Sequence, residues 1–190
     1  MNVDNITCPA IAILYKNGTL KPDADGFCTY QQLFEAAQTL GLGKVLADGA
    51  AGEAKKAPDK KINIFDLGGA AQTDGKSVGF KYISGMRRPA DEERLKEIMG
   101  DKEAFTLKDL KALNKQVKRS AERLAAGNSA GPPSFPFAWT VLLKVFGGSK
   151  CQLTMAEMHA IFIDSSPPSG WEAPKPIGLL GFLPKVLKVL

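Results

Sequence analysis

Apolar positions recur at intervals of three and four along most of the chain, the spacing of helices that bury one face. The run PAIAILYK opens on Pro9, whose missing N–H costs nothing in a first turn. A short helix is therefore predicted over about 9–16, with Cys8 as its N-cap. Thr29-Tyr-Gln-Gln32 has the form of a capping box. The helix it opens carries Leu33, Phe34, Ala37 and Leu40 on one side and stops at Gly41. Residues 44–61 are rich in Ala, Gly and Lys and read as a mobile loop. INIFDLGGAA then resumes apolar character, as one or two helical turns around Phe65 and Leu67.

Further along, Pro89 and Ala90–Met99 form a helix with an acidic start, ended by Gly100. Thr106 caps a long helix to about Ala126, in which Leu107, Leu110, Leu113, Val117, Ala121 and Leu124 recur at three and four. Phe135–Phe146 is strongly apolar, and Thr154-Met-Ala-Glu157 is a second capping box for a helix to about Ile163. The stretch from Asp164 to Pro176, rich in Ser and Pro, reads as extended, and the closing IGLLGFLPKVLKVL as a segment packed back on the body. No run alternates polar and apolar like a strand, and no internal repeat is evident. The expectation is one all-α domain over 1–190, with a mobile loop at about 44–61 and a docked tail at about 177–190.

Composition agrees with a single domain. The chain has 190 residues, 44% of them hydrophobic, enough for one sizeable core. Its net charge of +5 comes from scattered basic residues, such as Lys55/Lys56, Arg87/Arg88 and Lys115/Lys118/Arg119. None is interleaved with aromatics, so no nucleic-acid surface is expected. No apolar run is long enough to span a membrane. The basic, apolar stretch GFLPKVLKVL has the character of a helix that lies on a membrane, but docking on the body is the expectation. MNVDNITCPA lacks the shape of a signal peptide, which suggests an intracellular protein or the processed form of a secreted one. Asn5-Ile-Thr7 and Asn17-Gly-Thr19 are N-glycosylation sequons of low weight.

Several chemistries are excluded at this level. Three cysteines, Cys8, Cys28 and Cys151, show no CxxC spacing, which argues against structural zinc and a full disulfide framework. A single histidine, His159, argues against a His-built metal site or a Ser-His-Asp triad. LGGAAQTDGKS lacks the glycine spacing of a P-loop. In KPDADGFCTYQQ, Gly26 would take position six of a calcium loop. Positions one and twelve then fall on Lys21 and Gln32, which should be acidic, so calcium binding is not expected.

Three stretches occur in an order that resembles the chloroperoxidase-like heme-thiolate family, which includes the short fungal unspecific peroxygenases. They are CPAIAILYKNGTLKPDADG, FDLGGAAQTDGKS, and residues 155–176, which open on MAEMHAIFI and close on SGWEAPKP. In the first stretch Cys8, Pro9, Ile11, Leu14, Asn17, Gly18 and Leu20 match the family's Cys-Pro signature. In the third, Phe162, Pro168, Gly170 and Trp171 hold its Phe…Pro-x-Gly-Trp pattern. Thr7 and Lys16 depart from the Cys-Pro signature.

The resemblance implies heme b ligated through Cys8, flanked by Pro9, Ala10 and Ile11, with Leu67 and Lys76 also on the cofactor side. It implies Mg2+ beside a propionate, here on Asp74, the Gly75 carbonyl and Ser77, although Lys76 replaces an acid and could answer the propionate instead. It implies a small apolar or aromatic organic substrate and hydrogen peroxide as partners. Iron binds a thiolate, and an N-cap sulfur at the positive end of a helix is favoured as the anion by about 0.3–1 kcal/mol. On the dipeptide alone, Cys8 reads rather as a small buried residue at a plain helix start. The family's distal glutamate has no counterpart in PPSFPFAWTVLLKVF, so no catalytic residue is assigned. A binder of heme or another small molecule without turnover, or a non-redox biosynthetic enzyme, stays open beside a peroxygenase-like oxidoreductase.

Overall fold

A computed structural model describes residues 2–3, 6, 8–65, 89–113, 115 and 135–189. Among them are nine helices and four three-residue strands. In chain order these are α1 (Pro9–Lys16), β1 (Phe27–Thr29), α2 (Tyr30–Thr39), α3 (Lys44–Ala50), α4 (Gly52–Lys56), β2 (Lys61–Asn63) and α5 (Pro89–Met99). Then follow β3 (Ala104–Thr106), α6 (107–113), α7 (Phe135–Phe146), β4 (Gln152–Thr154), α8 (Met155–Phe162) and α9 (Leu179–Val189).

The expectation of an all-α fold is therefore wrong. β1 pairs antiparallel with β2 and β3 with β4, making two small sheets. Strands of three residues are too short to print an alternating pattern on the sequence, which is why they escape a periodicity search. Each strand follows a helix and a loop, and the strands meet in pairs with their central residues opposite one another: Cys28 with Ile62, Phe105 with Leu153. Cys28, Phe105 and Leu153 are fully buried.

Three of the four strands run straight into a helix through the same corner. The hydroxyls of Thr29, Thr106 and Thr154 accept the backbone N–H three residues on (3.2, 3.4 and 3.3 Å). In return Gln32, Asp109 and Glu157 accept the threonine N–H (2.8, 3.0 and 2.7 Å). Each corner satisfies two backbone donors that the helix start leaves without intrahelical partners. At β2, Asn63 takes the threonine's place and accepts from the Phe65 N–H at 2.9 Å.

The loop before β1 is closed by contacts among its own residues and with Lys61. Gly26 turns the chain at φ +89°, and a Cβ there would stand 2.7 Å from the Phe65 ring. Gln32 donates its amide to the Lys21 carbonyl at 2.9 Å, joining positions twelve and one directly. The Lys61 ammonium stands 3.6 Å from Asp23 Oδ2. Hydrogen bonds from the Phe27 and Asp25 N–H groups, outweighing partial desolvation, together with Lys61, hold the Asp23 carboxyl below its ordinary range.

Residues 44–56 form α3 and α4 in place of the expected loop. Leu46, Ala47, Ala51 and Ala54 are buried there, small side chains that favour helix and let α3 lie close on α2. Asp48 fastens this layer by accepting from the Tyr30 hydroxyl (2.6 Å) and Lys55 (2.9 Å). In the other half Trp139 is fully buried between Phe105 and Phe162, at centroid distances of 5.3 and 4.9 Å. α1 packs on α8, joining the halves, and α9 lies along α7 with Phe182 and Val186 inward. The Gly170-Trp171 step is pinned where the Trp171 indole donates to the Val145 carbonyl at 2.8 Å.

Replacing Thr154 by Ala removes one of these corners and should cost about 1 kcal/mol. For a chain of this size that lowers Tm by about 2–4 °C. Thermal denaturation followed by circular dichroism checks it, with Ser at the same position restoring most of the loss.

Candidate functional site

Cys8 occupies the N-cap of α1 in extended backbone (φ −86°, ψ 113°), with Pro9 in the first turn. Its carbonyl accepts the Ala12 N–H at 2.9 Å, which starts the helix. Its side chain makes no capping hydrogen bond to the first turn, so the expected N–H contacts to sulfur are not formed as capping bonds. The helix spends Pro9, Ala12, Ile13 and Leu14 on the core. Cys8, Ala10 and Ile11 stay half-buried. One end of α1 thus presents a sulfur beside two small or apolar side chains, at the positive pole of the helix.

The other two cysteines are placed differently. Cys28 is fully buried in β1, and burial, with the Asp23 charge nearby, pushes its thiol up to about 11. Cys151 is buried at the turn into β4 and accepts from the Lys185 ammonium of α9 at 2.9 Å. Of the remaining sequence candidates, Leu67, Asp74, Gly75, Lys76 and Ser77 lie outside the described residues. Among the described residues no cluster of three His, Cys, Asp or Glu side chains could hold a metal ion. Trp139 belongs to the core.

A second polar grouping, which spacing alone could not reveal, ties three helices together. His159 on α8 stands 3.1 Å from Asp164 Oδ2 through Nδ1 and 3.3 Å from Glu92 Oε1 on α5 through Nε2. Lys16, the last residue of α1, donates to the Asp164 carbonyl at 2.6 Å. Glu92 lies 67 residues before His159, so no local motif signals the pair. Partial burial works against a charged imidazole, but the hydrogen bonds to Asp164 and Glu92 and their negative charge outweigh it, and the His159 pKa is raised. With the groups close to the surface, the arrangement acts as a charge-dependent strut.

No family model, curated protein or solved structure matches this chain. Any reading of the Cys8 end therefore rests on its own residues and geometry.

Two outcomes are expected. In the native protein an uncharged thiol reagent should label Cys8 first, with Cys28 and Cys151 slow until unfolding; mass spectrometry of the labelled peptides checks the order. A raised folded-state pKa contributes stability that is complete below the ordinary value of 6.5 and is lost as pH rises through the folded value. The Tm difference between wild type and His159→Gln should therefore be largest below that value and shrink above it.

Proposed function

We propose that this chain is a heme-thiolate protein of the oxidoreductase class, with Cys8 as the iron ligand and a small apolar or aromatic organic molecule as substrate. The observation that carries the reading is the position of Cys8: half-buried at the N-terminus of α1, with Pro9 in the first turn. The order of the stretches that resemble the chloroperoxidase-like family supports it from the sequence side. Heme b, when bound, would supply the iron for peroxide-dependent oxidation.

The residues present fit such a ligand in kind. A single sulfur emerges at the positive end of a helix, which favours the thiolate over the thiol. Ala10 and Ile11 flank it with little bulk and no competing donor on their side chains. Pro9 is buried and fixes the backbone of the first turn, so the sulfur is held by a helix that is itself anchored in the core through Ala12, Ile13 and Leu14. Mg2+ on Asp74, Gly75 and Ser77 belongs to the same proposal, with Lys76 as the alternative partner for a propionate and Leu67 on the cofactor side.

A specific feature favours a second reading, heme binding without efficient turnover. α7, the helix that corresponds to the one bearing the distal glutamate in the resembled family, has the sequence FPFAWTVLLKVF and carries no acid. Proton transfer to and from peroxide needs a positioned acid–base group, and this helix offers none.

Spectroscopy of the heme-reconstituted protein tests the main reading. Reduced with dithionite under carbon monoxide, it should give the strongly red-shifted Soret band of thiolate ligation, present in Cys28→Ala and lost in Cys8→Ala. A protein that refuses hemin, or a spectrum unchanged by Cys8→Ala, overturns it. Peroxide-driven oxidation of a simple aromatic substrate then divides enzyme from binder.

A further inference from the structure

Six large hydrophobic side chains are exposed among the described residues, and five of them lie in two adjoining segments. Leu179 (42%), Leu180 (90%), Leu183 (47%) and Leu187 (62%) are on α9, and Val45 (64%) is in the first turn of α3. The segments are joined by backbone hydrogen bonds: the Gly43 N–H to the Ile177 carbonyl (2.9 Å) and the Ile177 N–H to the Gly41 carbonyl (2.8 Å). Leu180, Leu183 and Leu187 follow each other at three and four, so they form one stripe. Phe182 and Val186, on the opposite side, hold the helix to the body. The helix is thus docked and still apolar on its outer face.

Charge points to what this face meets. Residues 174–190 contain Lys175, Lys185 and Lys188 and no acid, and residues 40–47 contain Lys44 and no acid. Lys44 and Lys175 are exposed, while Lys185 turns inward to Cys151. Asp48, the acid next to the second segment, is engaged by Tyr30 and Lys55. Neither segment contains Trp, Tyr or Arg, the residues that dominate energetic centres of protein–protein interfaces, where leucine is under-represented. A leucine stripe in segments whose only charged side chains are lysines is instead the make-up of helices that lie in the headgroup region of a bilayer. With 11 residues, α9 is far too short to span one.

We propose that the outer face of α9, together with the first turn of α3, docks this protein on the surface of an anionic lipid bilayer. The leucines enter the boundary between headgroups and acyl chains, and the exposed lysines meet the lipid phosphates. Binding therefore needs both terms: negative surface charge and intact leucines. It is independent of heme.

Co-sedimentation of the full chain with vesicles tests this. Phosphatidylcholine vesicles containing phosphatidylglycerol should bind the protein, pure phosphatidylcholine vesicles much less, and salt should weaken the binding. The double variant Leu180→Asp/Leu187→Asp should lose about a hundredfold in partitioning, roughly tenfold for each leucine. Both side chains are exposed, so circular dichroism and Tm should stay as in wild type, which keeps the comparison free of folding effects. Absence of binding to the anionic vesicles, equal binding to the neutral ones, or binding unchanged in the double variant overturns the proposal. So does a dimer by sedimentation velocity that the double variant dissolves, which would assign the face to a second copy of the chain.

Discussion

The corner at which a strand becomes a helix organises this fold. A threonine closes the strand, accepts with its hydroxyl the backbone N–H three residues on, and donates its own N–H to the side-chain oxygen of a Gln, Asp or Glu. Because the strand has only three residues, the corner also fixes which side chain of the strand points inward. That residue is always the one before the cap: Cys28, Phe105 and Leu153. Pairing two strands then places their central residues face to face and closes a small sheet whose backbone groups could not otherwise be satisfied away from water. The helices on either side follow from these anchored starts.

The loop before β1 is held in the same local way. The amide of Gln32 holds the Lys21 carbonyl and the ammonium of Lys61 stands beside Asp23. These contacts present the strand and the capped helix that follows it. Two features stand outside these capped corners: Cys8, at the start of α1, and the outer face of α9.

At both places a helix serves two masters. α1 buries Pro9, Ala12, Ile13 and Leu14 and leaves its sulfur end half-exposed. α9 buries Phe182 and Val186 and leaves four leucines in contact with solvent. A short helix tied to a core on one side alone exposes the rest of its surface at fixed orientation, which is the condition for a site that needs precise placement and little motion.

Much of this was legible in the chain because it is local chemistry. Pro9 and the residue before it mark the start of α1, and Thr29 with Gln32 and Thr154 with Glu157 mark two helix starts to the residue. A cap needs only three or four neighbouring side chains, all present in the sequence window. The sheets were not legible, since three residues carry no period and the central partners lie 34 (28 to 62) and 48 (105 to 153) positions apart. Nor were α3 and α4, where Ala and Gly suggest a loop until a neighbouring helix offers a surface for Leu46, Ala47, Ala51 and Ala54. The partners of His159 and the exposed stripe of α9 belong to the same class. Whether a side chain is paired, buried or left in water is set by what packs against it, and that surface comes from residues remote in the chain.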